Sequence, residues 1–177
     1  MSRLKSGLLY TTLVFIAVSC SPTDKISTAG SSESVFPAWY NSSGFTSDSL
    51  YFSTYATAIS SDSLRAVSRA ENQARVNLES RIAEKLEIVR NQLEEKGSEY
   101  ARQADFILTL RNAYAPVETK ARVTEGVATK NENHYRGFAK VSVEKNDLRN
   151  IIEAGFAGKA TFWAELTGST AFTKELK

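Results

Sequence analysis

The longest regular pattern of apolar positions runs through the middle of the chain. From about Asp62 to Lys96, apolar side chains recur every three or four residues, with charged side chains between them. The apolar positions are Val67, Ala70, Ala74, Leu78, Ile82, Leu86, Val89 and Leu93. Their mean spacing is slightly above the α-helical period of about 3.6 residues, which predicts a long α-helix and not a heptad coiled coil. We expect Gly97 to end this helix.

The two faces of this helix predict how it packs. Small Ala70 and Ala74 lie in its first half, so we expect its backbone to approach a sheet closely there. The other face is rich in charged residues, including the pair Glu71 and Arg75 four residues apart, and is expected to contact solvent.

Three segments have the residue pattern of strands. Residues 50–58 are rich in aromatic and β-branched side chains. Residues 117–130 alternate, which predicts a strand with one buried face. That face is expected to carry Val117, Thr119, Ala121, Val123 and Val127. Residues 135–144 alternate as well, and the turn-like residues 131–134 would join the last two strands into a hairpin.

Two shorter helices are expected around these strands. Residues 98–114 predict a second helix, with Ile107 and Leu108 among its apolar positions, and Pro116 would prevent its continuation. After the hairpin, Asn146 or Asp147 is expected to cap a short helix that stops at Gly155. The predicted order is therefore strand, helix, helix, strand, strand, helix.

The first 19 residues have the pattern of a secretory signal peptide. Arg3 and Lys5 form a basic head, and residues 7–18 follow without a charge. A helix of this length spans roughly 18 Å, too short for a hydrocarbon core of about 30 Å. A basic head, a short apolar run and small residues describe an export signal, and a buried first helix of the domain is the alternative.

The signal ends in a sequence that resembles a bacterial lipobox, residues 17–20. Ser19 fits the small position before Cys20, the only cysteine of the chain, although Ala17 stands where Leu is common. The resemblance implies cleavage between Ser19 and Cys20 and attachment of lipid to the Cys20 thiol. In such lipoproteins, Asp directly after the lipidated cysteine retains the protein in the inner membrane. Ser21 occupies that position here, so the resemblance favours the outer membrane. The alternative is an ordinary export signal with a chance cysteine.

A polar tether separates the predicted anchor from the domain. Residues 20–35 are rich in Ser and Thr and have no apolar periodicity, which is typical of a flexible linker. Phe36, Trp39 and Tyr40 then mark the start of a domain over 36–155. We expect these rings to pack into the domain, and contact with a membrane interface is the alternative. The apolar tail, 156–177, could dock on the domain, contact a partner or touch lipid.

Composition and charge exclude several classes of site. One cysteine and one histidine leave no internal disulfide, Cys-based zinc site or multi-histidine metal centre. Removing Arg3 and Lys5 from the 22 basic side chains leaves 20, equal to the 20 acidic ones. A neutral mature chain gives no electrostatic indication of nucleic-acid binding. We identify no cofactor site.

No segment predicts catalysis. His134 lies in the expected hairpin turn, where a histidine is usually only solvated. Residues 155–161 resemble a phosphate-binding loop superficially, but Ala160 replaces the required Ser or Thr and Glu153 stands at the first glycine position. The adjacent carboxylates Glu94 and Glu95 lie on a helix surface. We therefore do not expect an enzyme.

Several of these features together resemble the LPP20-like family of bacterial lipoproteins. The lipobox, the Pro-x-Trp sequence at residues 37–39, an aromatic strand, and a helix with Ala66, Ala70, Ala74-Arg75 and Leu78 match that family's pattern over roughly residues 36–155. The strand lacks the family's usual glycines. The resemblance implies an α+β domain with a three-stranded antiparallel sheet against a long helix, somewhat dodecin-like. It also implies an outer-membrane lipoprotein, in some members associated with flagella, and no active site.

Two functional hypotheses follow from the sequence. The first is a lipid-anchored envelope protein that acts as a structural or assembly factor through protein partners or self-association. The alternative is an envelope lipoprotein that binds a small ligand in a pocket between the long helix and the sheet.

Overall fold

The computed structural model describes residues 36–176 of the chain. The predicted signal peptide, the cleavage site between Ser19 and Cys20 and the tether lie outside the described residues. The described part is an α+β domain with an antiparallel sheet and five α-helices, which confirms the predicted fold class.

The sheet has four strands and not the three expected. The strands are β1 (Phe45–Ser47), β2 (Tyr51–Ser60), β3 (Arg122–Asn131) and β4 (His134–Glu144), in the order β1-β2-β4-β3. All neighbours are antiparallel. The additional strand, β1, could not be predicted because its three residues are too few to show an alternation.

The long helix α1 (Ser63–Glu95) lies across one face of this sheet. The Asp62 carboxylate accepts the N–H of Arg65 at the start of the helix. At the end, Gly97 has a φ of 87°, and the N–H of Ser98 donates to the carbonyl of Leu93. This is a Schellman C-cap, so the predicted helix and its stop at Gly97 are confirmed.

Small residues bring α1 and the sheet into direct contact, as predicted for the first half of the helix. Ala66, Ala70 and Ala74 are fully buried. The Thr54 hydroxyl donates to the carbonyl of Ala74, and a Cβ on Gly137 would lie 2.2 Å from the backbone of Ala66. Strand β4 can therefore carry only glycine at that position.

The strand expected at 117–130 begins later than predicted. Residues Ala115–Thr119 form a 3-10 turn with Pro116 at its start, and Val117 is buried in the core. A β-bulge between Val123 and Glu125 then shifts the register of β3. Since Val123 pairs with Val141 and Val127 with Phe138, the bulge places Val127 on the face opposite Val123, so the single predicted apolar face was wrong.

The helix expected at 98–114 is divided in two. A 3-10 turn over Tyr100–Arg102 precedes α2 (Ala104–Tyr114), and Gln103 between them is extended, with a ψ of 133°. The Arg90 guanidinium donates to the carbonyl of Ala101 and holds this turn against α1. In α2 the buried face centres on Phe106, and Leu108 is exposed.

The short helix after the hairpin starts before its expected caps. Helix α3 (Lys145–Gly155) follows β4 directly, and Glu144 occupies the cap position without a side-chain hydrogen bond. The N–H of Lys145 donates to the carbonyl of Leu50 instead, so the β1–β2 turn supplies this acceptor. At the end of α3, Gly155 approaches the Cα of Ala113 closely.

The apolar tail packs on the rest of the domain. It contains α4 (Ala160–Gly168) and α5 (Thr170–Leu176), which contact α1. Phe156, Leu166 and Phe172 belong to the same hydrophobic core as α1 and α2. The Phe162 ring lies edge-on to Phe106, with 5.3 Å between ring centroids.

Candidate functional site

The first aromatic residues cover part of the sheet face that α1 leaves open. Phe36 and Tyr40 lie edge-on to the buried Phe138 ring, with centroid distances of 5.6 and 5.2 Å. Burial raises the pKa of the Tyr40 hydroxyl above its ordinary value, and nearby Arg136 opposes the shift. Phe36 and Tyr40 therefore pack against the sheet as expected, although Phe36 stays 43% exposed, and Trp39 contacts the Tyr40 ring.

The side chains weighed for catalysis lie apart from one another. His134 is partly buried at the first position of β4, opposite Asn131. Glu94 accepts from Arg90, whose pKa is raised by hydrogen bonds from its guanidinium to Glu87 and Glu94. Within residues 36–176, no group of three or more histidine, cysteine or acidic side chains could hold a metal ion.

The glycine-containing loop before α4 is tied to α2. Lys159 in this loop donates to the Asp105 carboxylate and, at 2.7 Å, to the Thr109 hydroxyl. The ammonium is thus engaged by the domain itself. Among the described helices, none has both the length and the apolar character needed to cross a membrane.

The two edges of the sheet differ sharply. On one side, the outermost strand is three-residue β1, which pairs with residues 52–54 of β2. On the other side, ten-residue β3 pairs with β4 alone, so its outer N–H and C=O groups have no strand partner within the described residues. A long free edge is a template for a further strand, whereas short edge strands resist such pairing.

An apolar groove lies beside the middle of this free edge. It has a volume of about 510 Å³ between the start of α1 and β3. Leu64 is 79% exposed and Val127 is 38% exposed, and both line the groove with Val67. We call this surface, residues 63–71 of α1 with residues 125–130 of β3, the β3 edge groove.

The charged side chains of the β3 edge groove have no ion-pair partner among the described residues; they are Arg65, Arg69, Glu71, Glu125 and Lys130. A carboxylate oxygen of Glu71 lies 3.4 Å from the point where a Cβ on Gly126 would stand. Lys130 lies exposed near the end of β3. The groove therefore offers a main-chain edge, an apolar patch and charges of both signs that form no ion pair within the described residues.

A second, smaller cleft lies where β2, β3 and β4 meet the start of α3. Its volume is about 270 Å³, and it is lined by charges of both signs, among them Lys120, Arg122, Glu144 and Asp147. Its floor includes Ser142, whose hydroxyl pairs with that of Ser53 at 2.8 Å. These hydroxyls satisfy each other, so the cleft presents no unpartnered group from this pair.

The β3 edge groove was not predicted from the sequence. Strand order decides which strand lies at an edge, and the sequence pattern does not show it. The pattern does not show the bulge in β3 either, so Val127 was predicted to lie on the same face as Val123, whereas it lies on the opposite one. One feature of the sequence is compatible with a free edge. The long alternating segment 117–130 contains no proline, so each of its residues keeps a main-chain N–H donor.

No family model, no curated protein and no solved structure matches this chain. The LPP20-like resemblance therefore rests on the motifs quoted from the sequence.

Proposed function

We propose that this chain is an LPP20-like, lipid-anchored protein of the bacterial outer membrane whose domain acts as a structural or assembly factor by binding other polypeptides. Residues 17–20 support the anchor, since they resemble a lipobox with Cys20 as the acylated residue. One acyl chain binds a membrane only marginally, but two or three chains hold a protein stably. The tether, 20–35, gives the domain reach from the surface.

The observation that carries the binding role is the free edge of β3 beside an apolar groove. An extended polypeptide added to such an edge gains main-chain hydrogen bonds, and alternate side chains gain apolar contacts. Leu64 and Val67 supply those contacts from α1, and Val127 adds an exposed apolar side chain on the opposite face of the same edge. Exposed apolar side chains gathered at one place are typical of interaction sites.

Site-specific photo-crosslinking in intact cells tests this role. A photoreactive residue replaces Val127, and a matched variant carries it at Leu108, which is 58% exposed on α2 and is not part of the groove. We expect covalent adducts to polypeptide at position 127 and few at 108. Equal labelling at both positions, or none at 127, would contradict the proposal.

The alternative function, binding of a small envelope ligand, would use the same groove. Its volume of about 510 Å³ lies within the usual range of ligand pockets, about 300–1,000 Å³. Deeper between α1 and the sheet the packing is tight, since Ala66 and Ala70 are fully buried. Binding of extracted envelope lipids in the groove, with no polypeptide adduct at position 127, would favour this alternative.

A further inference from the structure

We propose that the occupant of the β3 edge groove is a second copy of this chain, paired antiparallel along β3 about a two-fold axis at Val127. This inference rests on the proposed binding role and names its partner. Such a pairing is isologous: the same surface serves on both copies, so every contact occurs twice. The β3 edge groove has three properties that make it complementary to itself.

The first property is the position of the apolar patch on the strand. With Val127 opposite Val127, Gly126 of each copy faces Ala128 of the other, and Glu125 faces Thr129. No like charges are opposed in this register, and directly opposite residues stand about 4.5–5.5 Å apart. The bulge between Val123 and Glu125 ends the regular ladder at the same residue in both copies.

The second property is the placement of the α1 side chains. Leu64 and Val67 line the groove beside Gly126, Val127 and Ala128, the residues nearest the axis. Pairing the two edges brings both α1 helices to one face of a continuous eight-stranded sheet, so the two Leu64 side chains cover the junction from both sides. Burial of these side chains removes the largest apolar exposure of the helix from water.

The third property is charge complementarity. The Glu71 carboxylate lies over Gly126 of its own strand. In the paired edges, Ala128 of the second copy stands opposite Gly126, and Lys130 of the second copy follows two residues later on the same face. Each Glu71 can then form an ion pair with Lys130 of the other copy, twice in the dimer.

The two-fold symmetry of the pairing limits the assembly through β3 to two copies. The outermost strand at the opposite edge, β1, offers only three residues for pairing with another strand. The two-fold pairing consumes both β3 edges, so the assembly closes as a dimer and does not extend into a fibre.

Cysteine crosslinking tests the axis directly. In the full chain carrying Cys20→Ala, purified in mild detergent, Val127→Cys supplies the only thiol. We expect mild oxidation to yield a disulfide-linked dimer, because the two positions are opposite each other. Ile59→Cys is the matched control: Ile59 is 53% exposed on β2, away from the β3 edge. A dimer with Ile59→Cys but not with Val127→Cys would overturn the inference.

A charge exchange tests the register without relying on a new thiol. Glu71→Lys and Lys130→Glu are each expected to weaken dimerisation roughly tenfold, since each breaks two ion pairs and opposes like charges. The double variant should restore it, as measured by light scattering across a concentration series. Failure of the double variant to recover, with each single variant folded by circular dichroism, would contradict the assigned pairs.

The crosslinking and light-scattering results together also distinguish failure of the dimer from failure of the proposed binding role. A monomer in every crosslinking and scattering experiment, combined with adducts of a different envelope protein at position 127, would overturn the dimer and leave the binding role standing. A monomer with no adduct at position 127 would overturn both.

Discussion

At the scale of single residues, two glycines set how closely the elements of this domain approach. A Cβ on Gly137 would lie 2.2 Å from the backbone of Ala66, and one on Gly155 would lie 2.4 Å from the Cα of Ala113. In both cases the obstacle is backbone, which cannot swing away as a flexible side chain does. These positions join β4 to α1 and α3 to α2.

Gly137→Ala should therefore destabilise the domain strongly. The added methyl group must push α1 away from β4, and we expect a loss of about 3 kcal/mol or more in the free energy of unfolding. Gly168→Ala is the control: nothing lies within 4 Å of its Cβ position at the end of α4. That variant should be neutral or gain up to about 1 kcal/mol, because alanine favours a helix. Urea unfolding of both measures the difference, and equal effects would contradict this packing.

Asp48 is the residue whose ionisation should show in the pH dependence of stability. Its carboxylate accepts the N–H groups of Leu50 and Tyr51 at 2.7 Å in the turn between β1 and β2. These bonds, that from Leu50 first, hold its pKa below the ordinary 3.8, and nearby Lys145 adds to the effect.

Because the folded pKa is lowered, the carboxylate stabilises the fold above pH 3.8, and this contribution is lost as the pH falls through the folded value. Asp48→Ala should therefore lower the free energy of unfolding at pH 7, with the deficit shrinking in acid. Asp48→Asn keeps an acceptor oxygen and should show a smaller deficit at pH 7, and its stability relative to the wild type should shift in acid by the same amount, because both variants remove the same titrating carboxylate. Urea unfolding from pH 7 to pH 2 measures this, and a constant deficit for Asp48→Ala would contradict it.

At the scale of elements, the tail helices complete the core. Leu166 of α4 is fully buried, and Phe172 of α5 lies against Trp163, with 5.8 Å between ring centroids. Lys85 of α1 also forms a largely buried ion pair with Glu175 of α5 at 2.9 Å. The segment is part of the fold and not an appendage to it.

Leu166→Ala should consequently cost about 2–5 kcal/mol of stability, the usual range for a fully buried leucine. Leu108→Ala, at an exposed site on α2, should change stability by less than about 0.5 kcal/mol. Thermal and urea unfolding of the two variants provide the comparison. Similar, small effects for both would show that α4 does not share the core.

The elements also show what the sequence can predict and what it cannot. Helix α1 was predictable because its apolar spacing repeats over about seven turns of local sequence, and Gly97 marks its end. The start of β3 was not, because burial of Val117 by the rest of the fold overrides the local alternation. The bulge at Val123 and Glu125 left no sequence signal, and it decides which way Val127 points.

At the scale of the whole molecule, the proposed lipid anchor would favour pairing through the free edge of β3. A lipid on Cys20 would confine copies of the chain to a surface, which raises their local concentration and favours weak pairing between them. The candidate site could not be predicted from sequence, because it exists only once strand order leaves β3 at the edge. The anchor, in contrast, is proposed from residues 1–20 alone, and the proposed localisation depends on it.

The intact mass of the protein extracted from membranes tests the central claim of a lipid-anchored envelope factor most directly. For the unaltered chain we predict a species that begins at Cys20, lacks residues 1–19 and carries the added mass of acyl chains. The Cys20→Ala variant should lack that added mass and should leave the membrane fraction. An unacylated chain of unaltered sequence in the membrane fraction, or one that is fully released, would contradict the account.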